Sequence, residues 1–375
     1  DNMQWSVLNC KRLLGVPYSP SVKGRVSCYN APLFQDPSGL CSFRIVKGGT
    51  TVCTPTPVDV ASLIFTEILN TLIKQKVIVN ENDISSVAIG IPAEYDHLQR
   101  DKTIEAASIA GFQNVHLINE PTAAVLSYND RHQFADEYVL VYDLGGGTFD
   151  VALMKVLMNE YNVFANDGHP CLGGQDFDNE MMSIVLRKMR EMGVDTSRLT
   201  KRQLARLRQE SEEVKIGLTT NEDWVVDISE YTEEDEEIVI TRSEFEERIE
   251  HYIDETIRIC ERCITQSELK TLGTNDKILL VGGSSVIPLV KRKLEETFGE
   301  GRVIANVEPN RVVANGACIS ALRSYCDRYE MACPIVLPKV HSIVVREVIV
   351  QFNDEKEMVV IPMGTPCGEW KTIEY

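Results

Sequence analysis

Asp143-Leu144-Gly145-Gly146-Gly147-Thr148-Phe149-Asp150 constrains the fold more than any other stretch of the chain. The runs Tyr138 to Tyr142 and Phe149 to Val156 flank it, so the glycines join two strands in a hairpin rather than a strand and a helix. Consecutive glycines let the backbone turn tightly and bring bare N–H groups against a ligand, an arrangement that binds phosphate oxygens. A Walker loop is excluded, because that loop carries a lysine and leads into a helix. Asp143 and Asp150 bracket the turn, placed to hold a hydrated magnesium ion against phosphates. The alternative is an ordinary turn with two solvated aspartates.

A second glycine site, Gly282-Gly283-Ser284, follows the strand Ile278 to Val281 and precedes a helix that Pro288 opens and Gly299 stops. Open α/β sheets bind ligands at such carboxyl ends, although a strand-to-helix turn needs no ligand to explain it. Elsewhere, too, strands alternate with helices. Val87 to Ile91 reads as a buried strand before Pro92, His97 to Ala110 as a helix stopped by Gly111, and Asn114 to Ile118 as a strand leading into Glu120-Pro121 and another helix. Such alternation means an α/β architecture.

Between the glycine sites, helices are expected over Asn179 to Thr220 and an acidic strand region over Asp223 to Ile240. Ser243 to Glu246 reads as a capping box opening a long helix, with Phe245, Ile249, Tyr252, Ile253, Ile257 and Cys260 facing the core. From Pro57 to Lys76, Val60, Ile64, Ile68 and Leu72 repeat at four-residue spacing beside Leu63, Leu69 and Ile73, which predicts a well-buried helix. Residues 1–56 are turn-rich, with Asp36-Pro37-Ser38-Gly39 before a strand-like run from Cys41 to Val46. Residues 334–375 lose the helical period and read as the start of a separate all-β unit.

At 375 residues and 43% hydrophobic the chain has room for two cored lobes. Its net charge of -18 argues against nucleic acid as a partner, since an acidic surface repels phosphate backbones. No uncharged run is long enough for a membrane span; Val340 to Val350 is broken by His341, Arg346 and Glu347. The 11 scattered cysteines suit a reducing, cytoplasmic setting, and Cys260-x-x-Cys263 lacks the second pair of ligands a zinc site needs. The chain opens at Asp1 inside what reads as a structured segment, so residues upstream are expected.

Other polar residues have two readings each. Glu212, Lys215 and Thr219 form one polar row beside the apolar stripe Leu204, Leu207, Ser211, Val214 and Leu218; a solvated Glu212–Lys215 ion pair is the plain interpretation. Glu120, extended before Pro121, either caps a helix or aims a carboxylate at a cleft. Lys11, near the end of a short helix closed by Gly15, is by spacing alone a surface lysine.

Four segments taken together add a resemblance. Asp143 to Asp150, Ile118-Asn119-Glu120-Pro121-Thr122-Ala123-Ala124, Cys171-Leu172-Gly173-Gly174-Gln175-Asp176-Phe177-Asp178-Asn179 and Leu280 to Pro288 resemble the ATPase domain of the 70-kDa heat-shock chaperone family, in its order and spacing. The resemblance runs from Asn9-Cys10-Lys11 to the β-rich tail. It implies an actin-like, ribonuclease-H-like two-lobe ATPase fold with helical and mixed subdomains, followed by a partial β-sandwich segment. The implied boundaries are lobe I over 1–132, lobe II over 133–323 with an upper subdomain at 172–250, a linker over 324–338, and the start of a substrate-binding β domain over 339–375.

The resemblance implies ATP or ADP with magnesium, and potassium as a monovalent ion. Gly145, Gly146, Gly147 and Thr148 would hold the β- and γ-phosphates. Asp143 and Asp150 would coordinate metal-bound water, Glu120 would orient the metal shell or attacking water, and Lys11 would touch the γ-phosphate. Glu212, Lys215 and Thr219 would clasp adenine and ribose with Gly173, Gly174, Gly282, Gly283, Ser284 and Asn310. Pro92 and Arg100 match the pair that relays nucleotide state between lobes. Implied partners are unfolded or extended apolar peptides, J-domain co-chaperones and nucleotide exchange factors, in the cytoplasm and not at a membrane.

The sequence also departs from that family. An Asp-Leu-Gly-Thr-Thr loop expected before the Lys11 segment is absent, Val286 stands where an arginine is usual, Ile216 occupies the adenine-stacking place, and Asn310-Arg311 replaces an acidic pair. Ala332 to Pro338 lacks the linker's leucine run. The expected function is an ATP-hydrolysing chaperone domain that couples nucleotide state to peptide binding. The competing readings are a non-hydrolysing nucleotide-binding adaptor and, more remotely, a sugar kinase or an actin-like filament protein.

Overall fold

The computed structural model describes residues 7, 9–24, 31–131, 136–157, 160–232, 236–267, 269, 271–305, 308–334, 339–341, 348–351 and 357–361. The expected linker positions 335–338 and most of the expected β domain lie outside them. The chain divides into two compact units, residues 1–133 with 311–338 and residues 134–310 with 339–375.

In the first unit a 3-10 turn, Cys10–Leu13, and the short α1 (Pro20–Gly24) precede a hairpin of β1 (Leu33–Gln35) and β2 (Cys41–Phe43). Asp36 shapes its turn: Oδ1 accepts from the Ser38 N–H at 2.8 Å and the Leu40 N–H at 3.0 Å. A second hairpin, β3 (Ile45–Lys47) and β4 (Thr50–Cys53), leads to α2 (Pro57–Lys74). Thr56 starts α2 by accepting from the Asp59 N–H at 3.1 Å, and Asp59 accepts from the Thr56 N–H at 2.8 Å. Then β5 (Val87–Ile91), α3 (His97–Ile109) and β6 (Val115–Asn119) form a parallel crossover, and α4 (Glu120–Arg131) begins where β6 ends.

The α2 stripe corrects the sequence expectation. Val58, Ala61 and Phe65 pack with Leu14 and Ala106, and Ser62 and Leu69 are buried too, whereas Leu63, Ile64 and Ile68 are 67%, 51% and 46% exposed. Each helical residue advances about 100°, so the expected row sits well round from Ser62. Spacing identified a helix, but small and aromatic side chains at 58, 61, 62 and 65 decide which side meets α3.

The second unit opens with an antiparallel meander of β7 (Glu137–Leu144), β8 (Phe149–Leu157) and β9 (Glu160–His169). After it come α5 (Gly174–Glu191), α6 (Lys201–Gly217), a hairpin of β10 (Asp223–Asp227) and β11 (Glu237–Thr241), α7 (Arg242–Gln266), β12 (Lys277–Val281), α8 (Pro288–Phe298) and β13 (Val303–Ile304). Next in the chain, α9 (Val312–Arg328) packs in the first unit along α4, with Gly316 against the Ala123 carbonyl. The chain then supplies β14 (Lys339–His341) and a hairpin of β15 (Val348–Gln351) and β16 (Glu357–Ile361).

The sheet of the second unit runs β13-β12-β7-β8-β9-β14, with β12 parallel to both β7 and β13, and β14 parallel to β9. Phe245, Ile249, Ile253, Ile257 and Cys260 of α7 bury against it, as their spacing predicts, while Tyr252 stays half-buried. Cys263 joins them in this core. Tyr142 of β7 is fully buried and hydrogen-bonds the Thr256 hydroxyl of α7 at 2.7 Å.

Two local expectations change. The cap of α7 is Thr241, not Ser243: its Oγ1 accepts from the Glu244 N–H at 3.2 Å, and Glu244 Oε2 accepts from the Thr241 N–H at 3.1 Å. Thr241 ends β11 in extended conformation, φ -98° and ψ 152°, which an N-cap requires. Strand β9 was also unforeseen, although Tyr161, Val163 and Ala165 alternate inward. Asn162, Asn166, Asp167 and Gly168, turn-forming residue types, mask that alternation in the sequence. Among the described residues no helix is long and apolar enough to cross a membrane.

Candidate functional site

In the second unit, β7 and β12 run parallel with Asp143 beside Val281, so the hairpin turn after β7 and the Gly282-Gly283-Ser284 turn after β12 emerge at the same sheet end. Asp143 and Asp150 are direct cross-strand partners at the root of the hairpin, 8% and 6% exposed. Like charges so placed repel, and a cation between them removes that cost. The Gly145 N–H closes the turn on the Thr148 carbonyl at 3.0 Å.

The start of α5 docks on this turn. The Gly174 N–H donates to the Gly145 carbonyl at 3.0 Å and the Gln175 N–H to the Gly146 carbonyl at 2.8 Å. Two orphan amides of the helix terminus are thereby used to fix the turn. Approach is so close that a methyl on Gly173 would lie 2.7 Å from the Gly147 nitrogen. On the β12 side Gly282 adopts φ +82°, and a methyl there would lie 2.4 Å from the Leu144 carbonyl oxygen. Both positions need glycine for physical reasons.

Lys215, Ser284 and Asn310 reach the same spot. A methyl on Gly174 would meet Ser284 Oγ at 2.6 Å and Lys215 Nζ at 3.4 Å, and one on Gly283 would meet Asn310 Oδ1 at 2.8 Å. Thus Gly145, Gly146, Gly147, Gly173, Gly174, Lys215, Gly282, Gly283, Ser284 and Asn310 form one cluster. Glu212 of α6 is exposed and Thr219, in the turn just after α6, is half-buried, its hydroxyl donating to the Ile216 carbonyl at 2.7 Å.

Lys215 corrects the expected Glu212 pairing. It is buried, and its ammonium lies 2.6 Å from Asp178 Oδ1 of α5. Burial pushes the Asp178 carboxyl up, and Lys215 draws it only part of the way back. Asp178 is a site residue that spacing missed, although it lies inside the Gly-Gly-Gln-Asp-Phe-Asp-Asn segment. A carboxylate one helix away from a buried lysine was the available signal.

The first unit gathers a second group. The Lys11 ammonium donates to Glu120 Oε1 at 2.8 Å, bringing together the 3-10 turn and the first residue of α4. The Tyr95 hydroxyl donates to the Lys11 carbonyl at 2.9 Å. Arg100 donates to the Tyr95 carbonyl at 2.9 Å and to Asn119 Oδ1 at 3.1 Å, while the Tyr95 N–H donates to the Pro92 carbonyl at 3.2 Å. Pro92 and Arg100 therefore brace the turn that holds Lys11, with Asn119 next to Glu120. Tyr95 and Asn119 are further residues that sequence spacing did not single out.

A mixed α/β chain with glycine turns at the carboxyl ends of parallel strands falls in the class whose ligand sites lie at such ends. A family model described as Hsp70 protein matches residues 1–363. The chain is 30% identical over 288 residues to a protein named chaperone protein HscA homolog, from Janthinobacterium sp. (strain Marseille), a match covering 77% of this chain and 44% of that protein. It thus spans less than half the length of that relative. The chain belongs to the Hsp70 family of nucleotide-binding chaperones, and its mixed α/β structure is consistent with that family's actin-like two-lobe ATPase fold.

Proposed function

We propose that the chain binds ATP or ADP with magnesium and hydrolyses ATP, as the nucleotide-binding part of a chaperone. The observation that carries the reading is the convergence of the Gly145–Gly147 turn, the start of α5 and the Gly282–Ser284 turn above the Asp143 and Asp150 carboxylates. Amides of the glycine turn and the Thr148 hydroxyl cradle the phosphates. Two buried carboxylates are hard oxygen donors and suit magnesium, with potassium as a second, monovalent ion. Magnesium, when bound, neutralises charge on the phosphates.

Lys215, held by Asp178, and Glu212, Thr219, Ser284 and Asn310 grip ribose and base. Exposed Ile216 and Val286, 57% and 48% exposed, offer apolar faces to adenine in place of a guanidinium. Lys11 positions the attacking water near the γ-phosphate, and Glu120 accepts from that water or the metal shell. Such chemistry needs placed charge more than covalent intermediates.

On the same reading, residues 1–132 and 133–323 are the two lobes, 172–250 the upper subdomain, 324–338 the linker and 339–375 the beginning of a β domain for extended apolar peptides. Pro92 and Arg100 relay nucleotide state, J-domain co-chaperones and exchange factors drive the cycle, and the setting is cytoplasmic. Titration calorimetry with ATP and ADP, paired with phosphate release, tests the proposal. Tight magnesium-dependent binding with slow release supports it. Tight binding with no release makes the chain a non-hydrolysing adaptor, and no binding of either nucleotide overturns it.

A further inference from the structure

Cys326 occupies the last turn of α9 and is 3% exposed; Cys333, seven residues on, is half-buried. The chain between them reverses through a tight helix stop. The Met331 N–H donates to the Cys326 carbonyl at 2.9 Å, the Glu330 N–H to the Asp327 carbonyl at 3.4 Å, and Glu330 takes φ +51°. That is the hydrogen-bond pattern of a Schellman stop, with a left-handed residue at its corner. It folds the segment leading out of α9 back over the helix end, so that Cys333 lies close enough to act on the Cys326 thiol. Burial and the neighbouring Cys333 and Asp327 hold the Cys326 thiol above its ordinary value, so at neutral pH it stays protonated.

We propose that Cys326 and Cys333 form a reversible disulfide that staples the end of α9 to the segment following it. The helix stop turns the segment carrying Cys333 back toward Cys326, the closeness that a disulfide requires. Of the two sulfurs, the more exposed Cys333 is the one a small oxidant reaches. The oxidant is a low-molecular-weight disulfide. The Cys333 thiolate attacks one of its sulfurs, the oxidant's S–S bond breaks, and one small thiol leaves. Cys326 then gives up its proton and attacks the Cys333 sulfur of the mixed disulfide, releasing the second small thiol. Two protein thiols are oxidised, the small disulfide is reduced to two thiols, and both protons end on those products. By contrast Cys260 and Cys263, three apart in α7, are fully buried in the core of the second unit and out of reach of such a reagent.

Oxidised glutathione is the probe, applied to the intact chain before non-reducing tryptic mapping. Cleavage after Arg323, Arg328 and Lys339 separates the two cysteines, so the disulfide appears as Ser324–Arg328 joined to Tyr329–Lys339. The expected result is that this joined fragment becomes the main form of both peptides and disappears with dithiothreitol. Cys326→Ser and Cys333→Ser should each abolish it, while Cys318→Ser leaves it intact. If Cys333 stops at the glutathione adduct, or if Cys326 is recovered unmodified under these conditions, the proposal is wrong. Thermal melting of the reduced serine variants confirms that they are folded, so a missing fragment reports the lost thiol and not a lost fold.

Discussion

The Lys11 ammonium and Glu120 Oε1 stand 2.8 Å apart, so the lysine that sequence spacing placed on the surface is fixed to the first carboxylate of α4. Lys11 is itself half-exposed while Glu120 is mostly covered, which leaves the ammonium able to serve a ligand as well as its partner. If the pair positions the attacking water, Lys11→Ala lowers ATP turnover by about 100-fold or more, the scale of losing one charge stabiliser. Nucleotide affinity changes far less. Single-turnover hydrolysis alongside calorimetry measures both, and unchanged turnover removes Lys11 from the mechanism.

The Lys215–Asp178 pair is nearly buried, at 10% and 13% side-chain exposure, and breaking it leaves one charge without its partner. Lys215→Met alone should cost about 3–5 kcal/mol of stability. Lys215→Met combined with Asp178→Leu should recover much of that loss, because no buried charge remains. Urea unfolding of the single and double variants gives the coupling. If nucleotide is gripped here, both variants lose affinity even where stability is recovered.

Gly173 tests the packing of the glycine turn without altering charge. A methyl at this position meets backbone atoms of the turn at 2.7 to 2.9 Å, and backbone cannot swing aside as a side chain can. Gly173→Ala should therefore destabilise by about 1–3 kcal/mol and displace the turn from the start of α5. Thermal melting reads the first effect. The second appears as weakened ATP binding, and a variant that melts and binds like the parent shows that the turn is not held as closely as the geometry states.

What the sequence displayed clearly were features fixed by local chemistry. The Asp143–Asp150 hairpin, the α7 stripe and the Gly282–Ser284 turn each follow from glycine placement or from a 3.6-residue period. What it concealed were choices made by neighbours. Nothing within α2 says that Val58 and not Ile64 packs with Ala106, and nothing within α6 says that Lys215 turns to Asp178 rather than Glu212. Strand β9 was hidden for a different reason, since asparagine, a turn-forming type, stands at two of its outward positions, Asn162 and Asn166, and Asp167-Gly168 follow. The Tyr95 link to Lys11 joins residues far apart in the chain and has no local signature.

The face of α2 offers a direct comparison. Leu69 is 5% exposed and Ile64 is 51% exposed, although both are large aliphatic side chains on one helix. Leu69→Ala should cost about 2–5 kcal/mol, whereas Ile64→Ser should stay within about 0.5 kcal/mol of the parent. Denaturant midpoints of the two variants rank them. Equal losses would restore the buried stripe that four-residue spacing suggests.

Glu244 gives a pH dependence whose sign is fixed by its surroundings. Burial would raise its carboxyl, but Lys188 at 2.9 Å and the Thr241 N–H outweigh it and hold the group below the ordinary glutamate value. A lowered folded value means that the unfolded chain binds the proton more readily. The stabilisation is therefore complete above the ordinary value, about 4.3, and is lost as pH falls through the lowered one. Glu244→Gln keeps an acceptor for the cap but loses the charge facing Lys188, so it should cost about 0.5 kcal/mol at neutral pH, the scale of a partly exposed ion pair. The gap between variant and parent should shrink as pH is lowered through that window. Thermal melts at pH 7 and at successively lower pH follow the gap, and a difference that stays constant with pH would show that the charge on Glu244 adds nothing to the cap.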